Sequence, residues 1–365
     1  MVLRTLVLSC MLPAVLVAQE AASQMPRTEF PIATGLNISH WLAQSDKRGA
    51  DRERYITRTD FERIASLGFD HVRIPVDEVQ LWDTVGRKET DAFILLHRAV
   101  QWAMASKLRV IVDLHVIRSH YFNAVSNPLW TDRKEQDKLV TMWRELSGEL
   151  GHYPASWVAY EILNEAVAPD PEEWNALVAR VLSAIREKEP ARMVVVGSNR
   201  WQIPGTFPAL KIPDNEHNII LSFHFYSPMA LTHHRASWTA IAEYAGPVRY
   251  PGLTVDSSRY ASLSPSAAQF MRDVANGYFT RDTLEKLIAP AVAVAQEKTL
   301  QLYCGEFGVY PTIPDAPKLN WYRDLCSVMR AHHIAFCHWN YKADFPVVNS
   351  KGDPDRELVS ILTAK

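Results

Sequence analysis

Apolar residues along this chain gather in eight short runs, and half of the runs close on a polar residue. They are Phe30–Ile38, Phe69–Pro75, Leu108–His115, Trp157–Glu165, Met193–Gly197, Ile219–Tyr226, Thr299–Glu306 and Ile334–Trp339. Runs of this length fit strands buried on both faces. Between them the apolar spacing turns helical. Thr90–Ser106, for instance, places Phe93, Leu96, Val100, Ala103 and Met104 on one face. Further helices are expected at Thr59–Leu67 (capped by Thr59 or Asp60), Asp132–Leu150, Pro171–Lys188, Leu284–Glu297, Trp321–His332 and Asp355–Leu362. Strand and helix in alternation, eight times over, predict an α/β fold, a single-domain (β/α)8 TIM barrel. Two stretches break the rhythm. Asn199–Pro213 is too proline-rich for a full helix, and Ser227–Phe279 reads as an elaborated loop after strand six that overhangs the barrel mouth. Gln44–Arg54 reads as a polar loop.

The fourth run, W-V-A-Y-E-I-L-N-E, is apolar except for Glu161 until Asn164 and Glu165 arrive together. The seventh, T-L-Q-L-Y-C-G-E-F, brings in Glu306 near its end. In barrels of this kind the chemistry sits at the carboxyl ends of the strands, so the two carboxylates are expected to face each other. Such a pair suits acid/base work on a glycosidic bond. Asn37, Arg73, His115, Asn164, His224, Tyr226 and Trp339 stand at the same ends. Each alone has a bland explanation: a solvated loop acid, a paired arginine, a core histidine, a packing tryptophan. Polar groups at the same end of almost every strand have none, and they predict a catalytic cleft.

The order L-N-E at strand four, H-F-Y at strand six, G-E-F-G at strand seven and a Trp ending strand eight resembles glycoside hydrolase family 5, the cellulase-like retaining group. The resemblance covers Phe30 to Leu362. It implies that Glu165 is the general acid/base and Glu306 the nucleophile, with Asn164 bonding the sugar 2-hydroxyl. It further implies that Arg73 and Tyr226 hold the nucleophile ionised, that His224 neighbours the acid/base, that His115 contacts the sugar at the cleavage point, and that Trp339 lies beneath that sugar. The expected activity is retaining cleavage of a β-glucan, foremost as an endo-β-1,4-glucanase. A β-mannanase, a xyloglucanase and an exo-β-glucosidase are the alternatives within the family. A metal-dependent barrel hydrolase, for which Asp113-x-His115 is the nearest approach to a ligand motif, and a non-catalytic glycan-binding barrel are the alternatives outside it.

Composition narrows the picture in a few places. A formal net charge of -2, with no long run of one sign, argues against nucleic acid. Eleven Trp, 13 Tyr and 13 Phe supply many flat faces for sugars, and Trp201 and Trp238, after strands five and six, are the leading candidates ahead of Trp41, Trp82 and Trp130. Residues 1–19 resemble a secretory signal, with Arg4 before the apolar Leu6–Val17, too short to span a bilayer. Lipid attachment at Cys10 is a second reading of that segment. A short leader (20–29) and one catalytic domain (30–365) follow, in a monomer that is secreted or periplasmic. Cys304, Cys326 and Cys337 are expected as buried small hydrophobes, with one disulfide an open alternative. No cofactor and no metal are expected; His233-His234 lies in a loop without matching carboxylates, and His332-His333 ends a helix far from the active face.

Overall fold

The structure, a computed structural model, describes residues 27–214 and 216–364. Eight strands close into a parallel barrel: β1 Thr34–Asn37, β2 His71–Val76, β3 Arg109–Leu114, β4 Val158–Glu161, β5 Val194–Gly197, β6 Ile219–Phe225, β7 Gln301–Phe307 and β8 Ala335–His338. Their order round the barrel is β1-β8-β7-β6-β5-β4-β3-β2. Every apolar run therefore forms its strand, though most strands are shorter than the runs. β4 stops at Glu161, and Ile162–Glu165 leaves the sheet as a connection at the mouth.

The wrapping helices are α1 Gly49–Tyr55, α2 Arg58–Ser66, α3 Thr90–Ala105, α4 Arg133–Leu150, α5 Pro171–Arg186, α6 Arg281–Lys298, α7 Asp315–Ala331 and α8 Arg356–Thr363. Asp132, Asp170 and Asp355 cap α4, α5 and α8 by accepting backbone N–H groups of the first turn. Two expectations are corrected here. α1 occupies most of the stretch read as a polar loop; its sequence, G-A-D-R-E-R-Y, has too few apolar residues to show a helical period. The cap of α2 is Thr57, not Thr59 or Asp60, and Asp60 Oδ2 accepts from the Thr57 backbone N–H at 2.8 Å. The fifth crossover is short, a 3-10 turn over Pro204–Ala209. The segment 227–279 carries short helical turns and a two-stranded ribbon, Gly252–Leu253 with Tyr278–Phe279. It returns over the mouth, where the His233 ring lies 4.9 Å from that of Tyr226.

Two apolar clusters divide the interior. The larger fills the shell between strands and helices. The smaller lies inside the barrel, where Ile111, Ala159, Val195, Ile220, Tyr303 and Cys337 meet above Phe30 and Ile32 of the leading segment, which close the floor. Because strand side chains alternate between faces, the inward positions two residues further along β3, β4, β5 and β6 are Asp113, Glu161, Gly197 and Ser222. The barrel is thus apolar below and polar toward the mouth. Trp41, Trp82 and Trp130, the weaker candidates for sugar contact, are buried in the shell. The three described cysteines are buried free thiols. No helix among the described residues is long and apolar enough to cross a membrane. The segment 1–19, with Cys10, lies outside the described residues.

Candidate active site

Arg73, on β2, is fully buried and touches five side chains at the mouth. Its Nε donates to Glu161 Oε2 at 2.6 Å, and its Nη1 to Asn37 Oδ1 at 3.0 Å and Glu306 Oε1 at 2.7 Å. Nη2 donates to Asn164 Oδ1 at 2.8 Å and Glu161 Oε1 at 3.2 Å, and lies 2.9 Å from Asp113 Oδ2. A guanidinium offers five N–H groups in a rigid fork, and here all of them are used. Both readings of Arg73 hold at once: it pairs with barrel carboxylates and reaches Glu306. Asn37 faces Arg73 and the backbone, its Nδ2 donating to Gly305 O at 3.0 Å.

Glu306 points into the mouth because β7 contains a bulge. Phe223 pairs with Cys304 but His224 pairs with Glu306, so one extra residue, Gly305, lies between. Without it, the alternation that sends Tyr303 inward would send Glu306 out toward the helices. A Cβ on Gly305 would stand 2.8 Å from Ser222 Oγ, which is why a glycine sits there. Tyr226 OH donates to Glu306 Oε2 at 3.0 Å.

Glu165 takes the left-handed conformation, φ 46°, which turns its side chain back over the barrel. Its Oε1 lies 2.8 Å from His224 Nδ1, and Glu306 Oε2 lies 3.7 Å from the same nitrogen. Burial, joined by the charge of Arg73, keeps His224 neutral, its pKa well below the usual range. Its buried Nε2 has no partner. The tautomer protonated at Nδ1 leaves only a lone pair there and donates to Glu165. The two carboxyls are not equivalent. Burial raises both, and Glu306 stays above the ordinary carboxylate range although the charge of Arg73 opposes the rise. Glu165 is held well above the usual range, first by burial and then by the charge of Glu306. Beneath them burial pushes Asp113 up to about 7.

His115 and Trp339 stack, with ring centres 5.4 Å apart and planes within 9°. His115 Nδ1 lies 2.7 Å from Asp113 Oδ2, and burial lowers its pKa to about 3. The structure therefore assembles Asn37, Arg73, His115, Asn164, Glu165, His224, Tyr226, Glu306 and Trp339 at one mouth. Trp201 and Trp238 stand apart from this group, each more than two-fifths exposed. Trp201 Nε1 donates to Phe122 O at 2.8 Å, and Trp238 packs against Tyr310 and Phe345.

Sequence reasoning left three members out. Glu161 registered only as an interruption of an apolar run, and Asp113 only as an approach to a metal motif. Gln202, in the proline-rich fifth crossover, carried no signal. It is fully buried, and its Oε1 accepts the Glu165 backbone N–H at 2.8 Å.

One set of three groups among the described residues could share a metal ion: Glu165, His224 and Glu306, with an atom of each within 4.8 Å of the others. Glu165 and His224 already bond each other, and Glu306 bonds Arg73 and Tyr226. The paired histidines are engaged elsewhere. His234 bonds Thr312 and Gly246 O, and His332 pairs with Glu285 on the outer wall.

Comparisons with known proteins place the chain in one family. The profile of the family Cellulase (glycosyl hydrolase family 5) matches residues 30–345. The chain is 32% identical over 342 residues to Endoglucanase C of Acetivibrio thermocellus, covering 91% of this chain and 98% of that protein. It is 25% identical over 307 residues to Cellodextrinase A of Ruminococcus flavefaciens, covering 83% and 84%. Endoglucanase Cel5A from the hyperthermophilic Thermotoga maritima superposes with a TM-score of 0.73 at 21% identity, covering 90% of this chain and 96% of that one.

Proposed function

The chain belongs to the cellulase family, glycosyl hydrolase family 5, and from that premise we propose an endo-β-1,4-glucanase in which Glu306 is the nucleophile and Glu165 the general acid/base. The spacing of the two carboxyls carries the reading. An oxygen of each lies within 4.8 Å of the other, in keeping with the roughly 5–5.5 Å of retaining enzymes and short of the roughly 6.5–9.5 Å that admits a water for inversion.

The proposed course follows from the unequal environments. Glu306, kept ionised by Arg73 and Tyr226, attacks the anomeric carbon. As the glycosidic C–O bond breaks, the proton of Glu165 passes to the leaving oxygen, and a glycosyl ester on Glu306 remains. Glu165, now ionised, takes a proton from a water that attacks the same carbon. The ester bond breaks, Glu306 regains its charge and the anomeric configuration is restored. Asn164, oriented by Arg73, lies beside the acid/base and is assigned to the 2-hydroxyl. Trp339, stacked on His115, is assigned to the face of the sugar being cleaved.

The test is hydrolysis of a panel of β-1,4-glucan, mannan, xyloglucan and xylan, with proton NMR of the first-formed product. Release of the β-anomer from β-1,4-glucan is expected. A first-formed α-anomer would refute retention, and preference for another polymer would move the substrate assignment. Trp201 and Trp238 are proposed as outlying sugar platforms. Trp238→Ala should raise KM on cellohexaose about 3- to 10-fold while kcat changes less than about 2-fold, since one aromatic contact contributes about 0.5–1.5 kcal/mol. An equal KM on cellohexaose would remove Trp238 from the substrate path.

Residues 1–19 are proposed as a cleaved secretion signal, ahead of lipid attachment at Cys10. Sequencing of the mature amino terminus checks this; a terminus at a modified Cys10 would reverse the order.

A further inference from the structure

Arg200, Trp201 and Gln202 all lie in the left-handed region, with φ of 58°, 59° and 55°. For residues other than glycine this conformation is costly and normally occurs singly. Three in succession persist only where the surroundings fix them. Trp201 is fixed at both ends, its N–H donating to Ala166 O at 3.3 Å and its Nε1 to Phe122 O at 2.8 Å. The backbone O of Gln202 accepts the His224 N–H at 2.9 Å.

The turn drives the Gln202 side chain down into the barrel. β5 ends at Gly197, which offers no side chain at an inward position, and a Cβ there would stand 2.4 Å from the Gln202 side chain. Gln202 thus fills from above a place that the strand leaves empty. Its Nε2 donates to Glu161 Oε1 at 3.3 Å and to Ser222 Oγ at 3.1 Å. Facing a carboxylate, that atom must be the nitrogen, so the oxygen is the one turned to the Glu165 N–H. Gln202 therefore grips the acid/base residue twice. Its side chain holds the Glu165 backbone at φ 46°, and its backbone holds His224, whose Nδ1 meets the Glu165 carboxyl.

We propose that Gln202 is a positioning residue for proton donation by Glu165, an inference that rests on the reading of Glu165 as the acid/base. Gln202 is fully buried and bonds the backbone of Glu165 rather than its carboxyl. What it sets is the direction of the carboxyl, and small misplacements of a catalytic group cost about 100-fold.

A space-filling plug would support every substrate alike; a residue that aims a proton donor matters only where the leaving group needs the proton. The experiment compares kcat/KM on aryl β-cellobiosides, from phenyl to 2,4-dinitrophenyl, for the wild type, Gln202→Met, Gln202→Glu and Glu165→Ala. Gln202→Met keeps the length and loses the bonds. It should fall about 30- to 100-fold on phenyl β-cellobioside and less than about 3-fold on the dinitrophenyl substrate. Gln202→Glu keeps the shape and should show the same selective loss, deepening as pH rises and the new carboxylate faces Glu161, with Arg73 and Asp113 the other charged groups nearby. It also stands in if Gln202→Met does not fold. A loss equal across leaving groups, or no loss, with Glu165→Ala still steeply selective, would overturn the role of Gln202 alone. A flat profile for Glu165→Ala would overturn the acid/base assignment and this inference with it.

Discussion

Replacing Glu306 with alanine lowers kcat on β-1,4-glucan by at least about 10⁴-fold, as removal of a covalent nucleophile does. The cavity left on that face gives the prediction a chemical signature. With 2,4-dinitrophenyl β-cellobioside and added azide, the anion attacks the anomeric carbon where Glu306 stood and dinitrophenolate leaves, so an α-glycosyl azide accumulates. In Glu165→Ala the nucleophile survives and azide meets the glycosyl ester from the opposite face, giving the β-azide. A β-azide from Glu306→Ala would mean that the roles are exchanged. Proton affinity supplies a second readout. The charge of Glu306 is the second-largest cause of the high pKa of Glu165. Glu306→Gln removes that anion, so the pKa of Glu165 must fall, and a carbon-13 NMR titration of its carboxyl follows this directly. An unchanged value would show that the charge of Glu306 is not among the causes.

Arg73→Met destabilises the fold by about 3–5 kcal/mol at neutral pH, because removing one partner of a buried charge network strands the others. Here the stranded groups are Asp113, Glu161 and Glu306. Without the cation their folded-state pKa values rise further above those of the unfolded chain. Raised carboxyls favour folding while protonated and oppose it as they ionise, so the penalty should shrink as pH falls from 7 toward 4. Urea denaturation at both pH values measures it, and an equal loss at both would show that lost packing outweighs charge. Activity should fall with stability and the acid limb of the rate profile should move to higher pH, since Glu306 loses the charge that keeps it ionised.

The barrel was legible because a strand buried on both faces announces itself as a short, mostly apolar run, and all eight runs form strands. Helices were legible where one apolar stripe faces the shell, as in Thr90–Ala105, and not where arginine and acid dominate, as in Gly49–Tyr55. Asn164 and Glu165 stood out because polar residues follow an apolar strand. Gln202 did not, since its worth comes from a left-handed turn held by Ala166 and Phe122, remote in sequence, and from the inward direction of Gly197, which no local pattern shows. The bulge at Gly305 was hidden in the same way: a strand sequence does not show where its parity slips. Abundant tryptophan marked sugar chemistry only loosely, as Trp41, Trp82 and Trp130 pack in the shell.

The division of the interior into two clusters bears on engineering the working temperature. The shell between strands and helices is a separate population of side chains from the barrel's inner cluster and the polar tier above it. Substitutions at separated sites with no shared partners sum in free energy. Gains from refilling the shell at separated places such as Phe61 on α2 and Leu182 on α5 should accumulate one upon another while turnover stays constant. The same effort spent on Ile111, Val195 or Ile220 presses on the floor that carries Asp113, Glu161 and Arg73, so there thermal tolerance and rate are traded against each other.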